Sequence, residues 1–283
     1  MSIIHSLITS DLCAADVLLL FMGENYGDVK CEIRSEDVWY FYIKNESARG
    51  VDFSKEDYGY EIRNTIMSNE ADYRLAAALA KYSAIFTKGR IRNEDGKYVN
   101  PEQIFSKEDI KSNLQNDARM IQILSGQKEE IKIFGPEGGS VYFGTKTHQM
   151  FKPYENDPAM LADKMNQLIM NVLYGLPATE GDTIMEVQGK NGGKDLILKV
   201  ISRNNKYVIK KYDYIILTTE NQDKNGLLMI TNELLNTILP DEWELVDEFT
   251  IVAPSLSEAS WNKLISRAQP LNQLNNFSEL RNK

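Results

Sequence analysis

Asp182, Glu186 and Asp195, followed by Lys199, come nearest in type and spacing to a metal-dependent phosphoesterase. Carboxylates on neighbouring strands can hold Mg²⁺, and a lysine close behind them can polarise a scissile phosphate. Here three residues separate Asp195 from Lys199, and Asp195 sits in the turn signal Asn-Gly-Gly-Lys-Asp, where a solvated acid is the ordinary occupant. Asp182, Glu186 and Lys199 therefore form an alternative catalytic set for a nuclease or phosphoesterase, and the primary expectation is no catalytic residue.

A second constellation is Tyr207, Tyr212 and Tyr214 among Lys210 and Lys211. Tyrosines and cations together supply the stacking platforms and charge used on single-stranded nucleic acid. The competing reading is a sheet with one packed face and one lysine-decorated face that guards its edges. The run Gly193-Lys-Asp-Leu-Ile-Leu-Lys-Val200 resembles a strand of phage single-stranded-DNA-binding proteins over those residues only, and it brings no zinc-ligand set.

The third constellation is acidic. Asp241, Glu242, Trp243, Glu244, Asp247 and Glu248 place carboxylates around an indole, which suits steering of a basic partner by charge and anchoring by the aromatic ring. The alternative is that Trp243 packs inward while the acids face water. Elsewhere, Gly139 to Lys146 approaches a phosphate-binding loop, but Thr145 intrudes between Gly144 and Lys146. His5 and His148 are the only histidines and lack companions at ligand spacing, so neither a metal nor a cofactor is expected.

The elements that must position these residues follow from hydrophobic period. Alternation over 58–66 predicts a strand, and Leu75, Ala78, Leu79, Tyr82, Ile85 and Phe86 predict a helix behind a Ser68-Asn69 start. The aromatic run 38–43 is a further strand, with 47–57 expected as a loop. Capping signals place helices at 106–124, 157–173, 231–239 and 257–268. Turn signals imply hairpins at 90–99 and 131–143 and a meander through 182–188, 195–201 and 206–217. Residues 11–22 suit a short buried helix closed by Gly23, and the apolar run 17–22 within them suits a strand equally well. Neighbouring strands with helices between the groups predict an α+β fold, mainly antiparallel hairpins and meanders with helices on one face. The polar stretch 145–156 is the expected linker between domains 1–148 and 149–283, with a single domain on one continuous sheet as the rival reading.

A segment carrying Glu56-Asp57-Tyr58, Glu61-Ile62-Arg63, Asp72-Tyr73-Arg74-Leu75-Ala76, Gly89 and Glu94-Asp95-Gly96 resembles residues seen in an uncharacterised bacterial protein family. That family implies no activity to carry over.

A net charge of -9 opposes general attraction to phosphate backbones and anionic membranes. Two cysteines are too few for a disulfide scaffold, and no apolar run reaches the roughly 20 residues of a membrane span. The sequence therefore predicts a cytoplasmic, non-enzymatic protein that binds a macromolecule. The expected partner is a basic protein and not a membrane, in the manner of an immunity or accessory protein covering a nuclease toxin.

Overall fold

The structure is a computed structural model describing residues 2–179, 183–187, 196–218 and 228–270, with backbone alone at 183–187, 196, 232, 233 and 236. The architecture is α+β, and the chain divides into two compact units, Met1–Gly175 and Leu176–Lys283. No described helix is long and apolar enough to cross a membrane.

The first unit is built on a sheet of β1 (Ile3–Ile8), β2 (Val29–Ser35), β3 (Val38–Ile43), β4 (Val51–Glu56), β5 (Gly59–Asn64), β6 (Arg90–Arg92) and β7 (Tyr98–Val99). Its spatial order is β2-β3-β4-β5-β1-β6-β7, and each neighbouring pair is antiparallel. The N-terminal strand, which carries no strong sequence signal, fills a central place in register Ile3↔Asn64 to Ile8↔Gly59. The expected loop 47–57 is corrected in its second half. Val51 and Phe53 are buried on alternate positions of β4, and Asp57-Tyr58 is the two-residue loop that returns the chain into β5.

Helix α1 (Ala15–Tyr26) flanks the sheet, and α2 (Glu70–Thr87) lies across it. Asn69 caps α2 in a reciprocal box with Asp72, and Lys88 closes it in the left-handed conformation. The small residues Ala76, Ala78 and Ala80 let α2 approach the strands, completing a core with Leu7, Phe41, Phe53, Ile62, Leu75 and Leu79. Helix α3 (Lys107–Gly126) begins at the Ser106–Asp109 capping box.

The hairpin of β8 (Ile131–Phe134) and β9 (Ser140–Phe143) is followed by α4 (Thr145–Phe151). The expected linker at 145–156 is therefore corrected to helix over most of its length. Thr147 Oγ1 accepts the Gly144 N–H at 2.7 Å, and Phe151 is buried, so this polar stretch is tied down at both ends. Helix α5 (Pro158–Met170), capped by Asp157, packs on α3 within the first unit.

The second unit contains β10 (Thr183–Val187), β11 (Leu196–Ile201), β12 (Tyr207–Ile209), β13 (Tyr214–Leu217), β14 (Leu228–Thr231), α6 (Asn232–Thr237), β15 (Glu244–Leu245), β16 (Ile251–Ala253), α7 (Glu258–Arg267) and β17 (Gln269–Pro270). The order β10-β11-β13-β14-β17 makes one sheet and β12-β16-β15 another. This corrects the simple meander: the run 206–217 is two strands in two sheets, and β13 pairs with β11 in parallel. Tyr207–Ile209 leaves to pair with Ile251–Ala253, and the chain re-enters beside β11 in the same direction. Asp213 fixes that re-entry, its backbone N–H donating to the Ile197 carbonyl and its carboxylate accepting the Ile197 N–H at 2.8 Å.

Candidate protein-docking surface

The predicted phosphoesterase set is only partly within the described residues. Asp182 lies outside them, Glu186 stands opposite Ile197 on β10, and Lys199 stands opposite Ile184 on β11. Lys199 is buried, 5% exposed, so its ammonium is not presented on an open face. Among the described residues no three His, Cys, Asp or Glu side chains cluster as metal ligands.

The nucleic-acid set separates by burial. Tyr207, Tyr212 and Tyr214 are all buried, leaving no exposed ring among them for a base to stack on, whereas Lys210 and Lys211 are exposed. Tyr207 Oη accepts the Ser202 N–H at 2.9 Å, and the Lys211 ammonium sits 4.7 Å from the centre of the Phe249 ring.

The acidic stretch also divides. Trp243 is a core residue of the second unit, packed with Tyr207, Trp261 and Leu264, and its Nε1–H donates to the Pro254 carbonyl at 3.1 Å. The indole therefore anchors its own domain and is not offered to a partner. Asp247 is buried and accepts the N–H groups of Phe249 and Thr250, which shapes the turn between β15 and β16, and Glu248 is buried beside it in sequence. Asp241, Glu242 and Glu244 remain exposed. Glu242 accepts hydrogen bonds from the Ser260 and Ser257 hydroxyls, and these bonds hold its carboxyl below the usual range.

In the first unit, a surface that sequence reasoning had assigned to the interior is open. Helix α1 buries Ala15, Leu18 and Met22 but exposes Val17, Leu20 and Phe21, with Leu20 at 65%. Phe21 lies 4.8 Å from Phe86 and 6.3 Å from Tyr82, ring centre to ring centre, and Ile85 beside them on α2 is 58% exposed. The outer faces of α1 and α2 thus join in one apolar ridge.

Asp11, Asp16 and Glu24 are exposed along α1 and its approach, and no Lys or Arg occurs from 9 to 29. On the α2 side, Lys81 is paired with Glu102 at 2.9 Å. The signal for this ridge was present in the apolar run 17–22, which has more apolar positions than a one-sided helix needs.

No family model, no curated protein and no solved structure matches this chain.

Proposed function

We propose that this chain is a non-enzymatic binding protein that docks a basic protein partner through the ridge of α1 and α2. The observation that carries this is the exposure of Val17, Leu20 and Phe21 on α1, with Phe21 against Tyr82 and Phe86 of α2 next in sequence to the exposed Ile85, and of Asp16 and Glu24 on the same helix with Asp11 on its approach. A side chain such as Leu20 or Phe21 contributes about 1.5–3 kcal/mol when fully withdrawn from water. An apolar centre with a charged rim is the usual anatomy of a protein interface. The acidic rim and the net charge of -9 favour a partner whose contact surface is apolar with a basic border. An immunity or accessory protein covering a basic enzyme fits that chemistry.

The test needs a purified complex. A partner recovered by affinity purification is identified, produced separately and titrated by calorimetry. Leu20→Asp and Ile85→Asp are each expected to weaken binding at least about tenfold while leaving the fold unchanged. The triple replacement of Asp241, Glu242 and Glu244 by Ala is expected to leave affinity within about threefold, these carboxylates being distant in the chain from the ridge. Unchanged affinity in both ridge variants overturns the proposal, and so does loss confined to the triple variant. A homodimer in light scattering that Leu20→Asp abolishes would replace the foreign partner with a second copy.

A further inference from the structure

The first unit holds a cavity of about 350 Å³ lined by Arg34, Tyr40, Arg49, Asp52, Thr65 and Gly135, with Glu32 and Phe134 also on its wall. This is within the size range of small-molecule sites. Two arginines reach it, and they are not equivalent.

Arg34 is already committed. Its Nη1 donates to Asp52 Oδ1 at 2.7 Å, and its guanidinium lies 3.5 Å from the centre of the Tyr40 ring. Arg49 is held everywhere except at its tip. Its backbone N–H donates to Asp72 Oδ2 at 2.9 Å, its carbonyl accepts the Tyr40 hydroxyl at 2.6 Å, and its Nε–H donates to Thr65 Oγ1 at 2.9 Å. Among the described residues, no acceptor meets Nη1 or Nη2, and no carboxylate lies at ion-pair distance.

The support behind Arg49 is rigid. Asp72 is fully buried and also accepts the N–H groups of Gly50 and Asn69 at 2.8 and 2.9 Å. Gly50, at φ +64°, lies so close to the Tyr40 ring and the Phe41 carbonyl that an added Cβ would come within 2.6 Å of both. A guanidinium held this firmly on the wall of a cavity, with no described acceptor on either amino group, is prepared for a planar acceptor.

The charge balance of the wall narrows the ligand. Arg34 and Asp52 neutralise each other, which leaves Arg49 and the exposed Glu32 as the remaining charges on the wall. A phosphate dianion or a dicarboxylate would bring a second negative charge that Glu32 repels and that no further cation on the wall offsets. A ligand with one carboxylate and one ammonium group satisfies both charges.

We propose that this cavity binds a small zwitterionic carboxylate, an amino-carboxylic acid, with its carboxylate on Arg49 and its ammonium group toward Glu32. This site is independent of the ridge on α1 and α2.

Calorimetric titration of the full chain with glycine, 4-aminobutyrate, acetate, propylamine, succinate and inorganic phosphate tests it. At least one of the two zwitterions is expected to bind more tightly than every other probe. Arg49→Lys, which keeps the charge but loses the planar fork, is expected to weaken that zwitterion at least about tenfold. Glu32→Gln, at an exposed position that leaves the core intact, is expected to remove the preference for the zwitterion over acetate. Matching circular dichroism and melting temperature establish that the Arg49→Lys protein is folded. Phosphate or succinate binding more tightly than both zwitterions overturns the proposal. So does the absence of zwitterion binding at about 10 mM, or a zwitterion preference that survives Glu32→Gln.

Discussion

His5 sits on central strand β1, 5% exposed, edge-on to Phe105 at 5.0 Å, with no hydrogen-bond partner for Nδ1 among the described residues. Burial lowers its pKa from 6.5, more than Glu94 raises it. Above pH 6.5 the ring is neutral in both folded and unfolded chains. As pH falls below 6.5 the unfolded chain takes up the proton first, so the stability associated with a neutral ring is lost as pH drops through the folded value. Asp72 acts in the opposite sense: burial pushes its carboxyl up to about 6, so its contribution is present below its ordinary 3.8 and lost as pH rises through about 6. Comparing wild type with His5→Leu isolates the histidine. Urea denaturation at pH 7.5 and pH 5.5 is expected to show a larger acid-side loss in wild type than in the variant. Asp72→Ala leaves three backbone N–H groups, two of them buried, without their acceptor and is expected to cost on the order of 3 kcal/mol in the same assay. The capping role of Asn69 and Asp72 is local, and it was legible in the sequence. The hold of Asp72 on Arg49 and Gly50 was not, because it joins groups far apart in the chain.

Strand register has a sensitive point in the turn that opens β5. Gly59, at φ +137°, faces Ile8 across the β1–β5 pair, and a Cβ there would lie 2.2 Å from the Leu7 carbonyl oxygen. Gly59→Ala is therefore expected to destabilise the chain by about 2 kcal/mol or more, read as a lowered denaturation midpoint. Alternation around Tyr58 predicted a strand here, and β5 is present. Tyr58 itself falls in the turn because β4 uses Asp57-Tyr58 to reverse direction. Helix and strand were both open readings of the apolar run in α1; the helix is present, and its burial is less than expected. A helix with apolar residues on every side can be covered by neighbours or left open, and period alone does not distinguish the two.

Two compact units dividing after Gly175 imply that residues 1–175 carry a complete set of partners for the first sheet and its helices. A fragment of those residues is expected to melt in a single cooperative transition by circular dichroism. A fragment ending at 148 lacks α5, whose Leu161, Met165, Leu168 and Ile169 are buried, and is expected to aggregate or melt broadly. The sequence by itself determined the α+β class, most helix starts and hairpins, and the acidic balance, because period, caps, turn residues and charge act within a few residues of one another. Only the tertiary structure decided that β1 enters the centre of its sheet and that β12 and β13 belong to different sheets. It also decided that Trp243 and the tyrosines turn inward, that α1 and α2 leave a ridge exposed, and that the tip of Arg49 has no partner among the described residues. The physical reason is common to all of these: local pattern sets the conformation of a segment and the direction of its side chains, whereas the covering of a face or a charge depends on segments brought to it from elsewhere in the chain.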